Sequence, residues 1–395
     1  MSVNPLRSLA RGGCCRALLP SVVLVFPGCA EDAERVATVG STGWECPWSL
    51  ADADPLSLDL ARAVAANGGN GGGVIQVSGT GGVRQDEAAG SRWDDGPDMQ
   101  LDDAYEVASV TKAVTATLTL RLMEERALDV DAPYADLLPQ WGTGMLVIDG
   151  VDRTGEITIR QLLAHRSGLP DYWTDPPFVS PGENEFLREF LNDPDRHWEP
   201  EEMLDLARTL TPIGEPGVAF HYSDTNYVIL GLLLEQVAGQ ALHDAMREWV
   251  FDPLGMDDTW MSFHEAAVGD RTLSHRYEGA WDMTVHEHQS ADWAGGGLVS
   301  TSHDLRQLLC GLAEGGVYRE SSTIDTMMDW APTGDADIAY GLGLYSVMLD
   351  GERRLWGHDG YGSAFAYILE GSESAYVGTL NQTESDWWPL IAPDL

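Results

Sequence analysis

Ser109 and Lys112 stand three residues apart in Ala108-Ser109-Val110-Thr111-Lys112, a spacing that puts hydroxyl and amine on one face of a helix. A serine hydroxyl becomes a nucleophile beside a base that takes its proton, and a neutral lysine amine one turn away fills that role. Composition singles this lysine out: it is the sole lysine of 395 residues, and every other one of the 23 basic side chains is arginine. Arginine keeps its proton at any working pH, whereas an ammonium gives it up when buried or crowded by positive potential. A lysine retained against such a bias does something arginine cannot. The competing reading is chance, because Ser-x-x-Lys occurs in many unrelated chains.

The elements that must position this pair follow from periodicity. Ser109 opens a long amphipathic helix to about Arg126, through Val114, Leu118, Leu122 and Met123. Upstream, Leu58 to Ala66 has helical spacing and ends at the glycine cluster Gly68 to Gly73, a turn rather than a phosphate loop because no Gly-Lys-Ser/Thr follows. Val74 to Ser78 reads as a strand. Downstream, Ile157 to His165 is helical in its second half and stops at Ser167-Gly168-Leu169-Pro170; residues 171–218 wrap the surface around two short helices. Tyr227 to Val237 is an apolar helix closed by Gly239, and Ser302 to Leu312 is another. Tyr340–Met348, Arg353–Gly357, Ser363–Glu370 and Ala375–Asn381 alternate as consecutive antiparallel strands. Early strands, a helical middle and a late meander predict an α+β fold, an antiparallel sheet flanked by helices with an inserted, mainly helical domain. Residues 55–125 with 295–395 are expected to build the sheet domain, and 126–294 the helical one.

The first 28 residues read as an export signal: Arg7, Arg11 and Arg16 precede an apolar stretch from Ala17 to Phe26, too short to span a bilayer. Gly28-Cys29 resembles a lipoprotein cleavage site with Cys29 as the lipidated residue, while Pro27 leaves ordinary signal cleavage as the alternative. Residues 29–54 form a polar tether. The expected location is therefore periplasmic, membrane-anchored or secreted. Cys46 and Cys310 remain beside Cys29 and leave a single bridge open. A formal charge of -40, from 63 acidic against 23 basic residues, repels nucleic acid and anionic membrane, so the only membrane contact expected is through Cys29. The histidines form no metal set: the run His264-Glu265-Ala266-Ala267-Val268 lacks a second histidine, and His286-Glu287-His288 has no fitting partner. No metal or other cofactor is expected. His165 reads as the holder of a turn.

Several segments, in order, resemble the serine β-lactamase and penicillin-binding-protein superfamily on its class C side. That side includes D-alanyl-D-alanine carboxypeptidases, D-aminopeptidases and β-lactamase-like esterases. The segments are the Ser109 motif, Leu162-Leu163-Ala164-His165-Arg166-Ser167-Gly168-Leu169, Phe220-His221-Tyr222-Ser223-Asp224-Thr225-Asn226-Tyr227 after Pro216-Gly217, and Gly295-Gly296-Gly297-Leu298-Val299-Ser300-Thr301 with Asp304-Leu305. Tyr340-Gly341-Leu342-Gly343 and Gly357-His358-Asp359-Gly360 complete a resemblance running from about residue 55 to 385. It implies that Ser109 forms an acyl-enzyme and that the oxyanion is held by the N–H groups of Ser109 and of Tyr361, on the edge strand carrying His358, Asp359 and Gly360. It also implies that Lys112 or Tyr222 is the acylation base, with Tyr222 relaying the proton and its phenol pKa lowered by Lys112.

Two residues depart from the family's pattern. Asp224 replaces an amide donor by a carboxylate that pairs with Lys112 or holds it in place, and Asp359 replaces the hydroxyl residue that binds a substrate carboxylate. Both disfavour carboxylate-bearing ligands. The expected function is an exported serine hydrolase cleaving a small ester or amide. The alternatives are a D-alanyl-D-alanine carboxypeptidase or β-lactamase acting on cell-wall peptides or β-lactams, and a catalytically silent binding protein on the same fold. Joint retention of Ser109, Lys112 and Tyr222 argues against the last.

Overall fold

The computed structural model describes residues 46–48, 60–66, 71–79, 82–126, 128–175, 184–362, 364–371, 374–383, 385 and 387–391. Residues 1–28, read above as an export signal, Cys29 and most of the expected tether lie outside them. Helix α1 (Leu60–Ala66) leads into a hairpin of β1 (Gly72–Gly79) and β2 (Gly82–Gly90). The long helix α2 (Thr111–Arg126) follows, then a helical stretch containing α3 (Asp224–Ala238), and then α4 (Ser302–Ala313). The chain closes with β3 (Ala331–Pro332), β4 (Ile338–Tyr340), β5 (Tyr345–Met348), β6 (Arg354–Gly360), β7 (Ala364–Leu369) and β8 (Ser374–Thr379). Together they form one antiparallel sheet of eight strands in the order β3-β4-β5-β6-β7-β8-β1-β2. The α+β expectation holds.

Strand alternation divides the sheet's two faces between two cores. Ala364, Ala366 and Ile368 of β7 pack into the large cluster with α2, α3 and α4, while Phe365, Tyr367 and Leu369 turn to the smaller one with Leu60 and Val64 of α1 and Ile391. The single strand read over Tyr340–Met348 is two strands, because Gly341 N–H closes a turn on Leu344 O at 2.9 Å. Helix α2 is not amphipathic. It is buried on every side from Thr111 to Leu122, the condition of a central helix. Its threonines tolerate this because Thr115 donates to Ala294 O at 2.7 Å, and Thr117 and Thr119 donate to carbonyls one turn back. Helix α3 stops at Gly239, whose φ of 76° suits glycine.

Cys46 and Cys310 are bridged, tying the segment before α1 to α4 across 264 residues of sequence. Closing so long a loop restricts the unfolded chain, and its loss is expected to cost about 2–5 kcal/mol. Thermal melts of the oxidised protein and of Cys310→Ala check this; equal midpoints would remove the bridge from the account of stability.

Candidate active site

Ser109 sits in a single 3₁₀ turn, Ala108–Val110, immediately before α2, and Lys112 occupies the first turn of that helix. Ala108 holds a φ of 44°, a left-handed conformation that costs a non-glycine residue roughly 1–2 kcal/mol and is tolerated where the surroundings enforce it. The surroundings here are β6: a Cβ on Gly360 would lie 2.3 Å from Val107 O and 2.9 Å from the Ala108 Cβ, so only glycine lets the strand close on the nucleophile turn. Strand β6 is an edge only locally. Residues 355–357 pair with β5 as well as β7, but pairing with β5 ends at Gly357, leaving His358–Gly360 bonded on the β7 side alone.

Lys112 is fully buried, and its Nζ meets Ser109 Oγ at 3.0 Å, Gly295 O at 2.7 Å and Asp224 Oδ1 at 2.5 Å. These are three acceptors, one for each hydrogen of an ammonium. Gly295 belongs to the glycine-rich segment, and its lack of a side chain matters: a Cβ there would stand 2.9 Å from Asp224 Oδ1. The Tyr222 ring lies with its centroid 4.9 Å from Lys112 Nζ, and its phenol shares a hydrogen bond with Ser109. Contrary to the sequence expectation, its pKa is not lowered. Burial and then the Asp224 carboxylate push it well above its usual value, against the pull of the Ser109 hydrogen bond. Tyr222 therefore stands as a neutral phenol. His165, buried beneath it, stacks on the ring at 4.2 Å and accepts the Ser223 N–H at its Nδ1, 3.1 Å away, holding the turn that leads into α3.

His358 and Asp359 face opposite sides of β6. His358 Nδ1–H donates to the Asp359 carbonyl at 2.6 Å while Nε2 accepts from Tyr340 at 3.1 Å; burial and the charge of Lys112 push its pKa down to about 3. It is uncharged at neutral pH. Asp359 accepts from the Tyr367 hydroxyl at 3.0 Å, and burial raises its pKa. Over Ser109 opens a cavity of about 320 Å³ lined by Tyr222, Tyr345, His358, Asp359, Gly360, Tyr361 and Trp387 among others, with no lysine or arginine among its described lining residues. Tyr361 projects outward at 55% exposure while its carbonyl accepts from Arg276 at 2.7 Å. The structure thus gathers Ser109, Lys112, Tyr222, Asp224, His358, Asp359, Gly360 and Tyr361 around one cleft. Sequence reasoning missed the Gly295 carbonyl, the aromatic wall of Tyr345 and Trp387, and Asp171, which binds the Asp224 backbone and lies just past the His165 segment.

The Beta-lactamase family model matches residues 59–388. The chain belongs to the β-lactamase family. It is 27% identical over 252 residues to monacolin J acid methylbutanoyltransferase of Aspergillus terreus, covering 58% of each chain, so it spans less than two thirds of that relative. It is 29% identical over 303 residues to penicillin-binding protein 4 of Amycolatopsis lactamdurans, covering 71% of this chain and 72% of the relative. The fold resembles that of a D-stereospecific amidohydrolase from Streptomyces sp. with a TM-score of 0.71 at 27% identity, over 85% of this chain and 96% of the other. The relatives of this fold are thus hydrolases, acyltransferases and penicillin-binding proteins.

Proposed function

We propose that this β-lactamase-family member is an exported serine hydrolase that forms an acyl-enzyme on Ser109 and cleaves small esters or amides. The observation that carries the reading is Ser109 Oγ at 3.0 Å from a fully buried Lys112, at the floor of a cleft. Lys112 Nζ sheds a proton to Asp224 Oδ1, 2.5 Å away, and the amine so freed takes the Ser109 proton as Oγ attacks the acyl carbon. The N–H groups of Ser109 and Tyr361 hold the oxyanion. Tyr222, a neutral phenol, then gives its proton to the leaving group and is reprotonated through Lys112, and water repeats the sequence to release the acid. Export is supported by the basic-then-apolar amino terminus and by the Cys46–Cys310 bridge, since disulfides persist in oxidising compartments. Cys29 is the proposed lipid anchor.

The substrates proposed are acyl esters or amides without a carboxylate near the scissile bond. The described cleft lining offers such a group no positive partner: His358 is neutral, and neither form of Asp359 is cationic. A carboxylate about 8 Å from one ionised aspartate costs about 2 kcal/mol at an effective dielectric constant of about 20. Accordingly kcat/KM for p-nitrophenyl butyrate is expected to exceed that for a chromogenic cephalosporin or a diacylated D-Ala-D-Ala peptide by roughly 10-fold or more. The double variant Asp224→Asn, Asp359→Thr should move the ratio toward the carboxylate-bearing pair. Preference of the wild type for either of them would overturn the electrostatic argument.

A further inference from the structure

Behind Asp224 lies a second carboxylate. Asp171 is 2% exposed, and its Oδ1 accepts the Asp224 N–H at 3.0 Å and the Trp173 N–H at 3.3 Å, while Oδ2 accepts the Thr174 hydroxyl at 2.6 Å. Asp224 is the first residue of α3, so this carboxylate caps the helix from a distant segment and fixes where the Asp224 side chain begins. Asp224 Oδ1 then touches Lys112, and Lys112 touches Ser109. A continuous chain of contacts runs from Asp171 to the nucleophile.

The charges around this chain are unequal. Asp224, on α3, faces Asp171, with Lys112 of α2 beyond it; Asp292 acts on Asp224 and Lys112, and the His221 imidazole acts on Asp171. On its own loop Asp175 accepts the Asp171 N–H at 2.7 Å, but that carboxylate is already paired with His221, also at 2.7 Å. Arg276 is held 3.0 Å from Glu106. Lys112 thus balances one of the two carboxylates in this chain of contacts, and among the described residues the other has no cation in hydrogen-bonding contact.

We propose that Asp171 is a positioning residue for the Lys112–Asp224 pair: it holds Asp224 against Lys112, and when ionised it supplies the negative charge that lets Asp224 accept the proton Lys112 must shed. The proposal rests on Ser109 and Lys112 acting as described above. Burial, and then repulsion from Asp224, raise the Asp171 carboxyl from its ordinary value to about 7. The group is therefore protonated below neutrality and ionised above it, and activity should rise as it loses its proton.

The test is the pH profile of kcat/KM for p-nitrophenyl butyrate in wild type and Asp171→Asn, whose amide oxygen still accepts the two N–H bonds but cannot ionise. Wild type is expected to rise through a midpoint near 7, while Asp171→Asn stays flat, equal at low pH and roughly 10-fold slower at pH about 8.5. A second arm needs no turnover: in carboxyl-¹³C-aspartate protein carrying Ser109→Ala, the resonance lost on Asp171→Asn should titrate near neutrality. Asp224→Asn, which removes the like charge, should move that titration to lower pH. A uniform loss of rate at every pH in Asp171→Asn, or a resonance titrating in the ordinary carboxylate range, overturns the proposal. Residual turnover in Ser109→Ala instead sinks the nucleophile assignment, a failure the carboxyl titration reads separately.

Discussion

Ser109→Ala is expected to abolish ester and amide turnover, a fall on the order of 10⁶-fold in kcat, the scale seen when a serine hydrolase loses its nucleophile. The fold should survive. Ser109 is only partly buried, and its removal leaves Lys112 bonded to Gly295 O and Asp224, so the stability lost is about 1 kcal/mol, that of a helix-start hydroxyl. Kinetics with p-nitrophenyl butyrate beside a thermal melt separate the two effects. A variant that melts like wild type and keeps more than a trace of activity would place the nucleophile elsewhere.

Lys112→Arg is the second large effect. The substitution keeps the positive charge and removes the reversible proton, so kcat is expected to fall by roughly 10²–10⁴-fold, as for loss of a general base. The site also rejects the guanidinium on geometry, because Lys112 is fully buried and its three acceptors suit a point-like ammonium rather than a planar fork with five N–H donors. Circular dichroism should show the fold retained. Wild-type rates in Lys112→Arg would leave a neutral amine without a role.

The Ser109–Lys112 spacing was legible because a helix fixes neighbours at three residues, and Gly239 was legible because a helix end requires a conformation that glycine adopts freely. The β6, β7 and β8 strands were legible from alternation, since each buries different residues on its two faces. Strand β2 was not. It is the outer strand of the sheet, paired only with β1, and its Gln85-Asp86-Glu87 run carries no apolar alternation. Helix α2 reads as amphipathic from the spacing of Val114, Leu118, Leu122 and Met123, whereas in the fold its threonines are buried too and spend their hydroxyls on nearby carbonyls. The direction of the Tyr222 shift was out of reach too: the sequence points to Lys112 lowering it, and only the fold shows burial and Asp224 raising it against the Ser109 hydrogen bond. Asp171 and Asp224 are 53 residues apart, and no local pattern announces their contact.

The central claim is an acyl-enzyme on Ser109, and mass spectrometry after brief acylation by p-nitrophenyl butyrate or a fluorophosphonate tests it most directly. One adduct per chain is expected, mapping to the peptide that carries Ser109, absent in Ser109→Ala and formed far more slowly in Lys112→Arg. An adduct on a different residue, or undiminished labelling of Ser109→Ala, would contradict it.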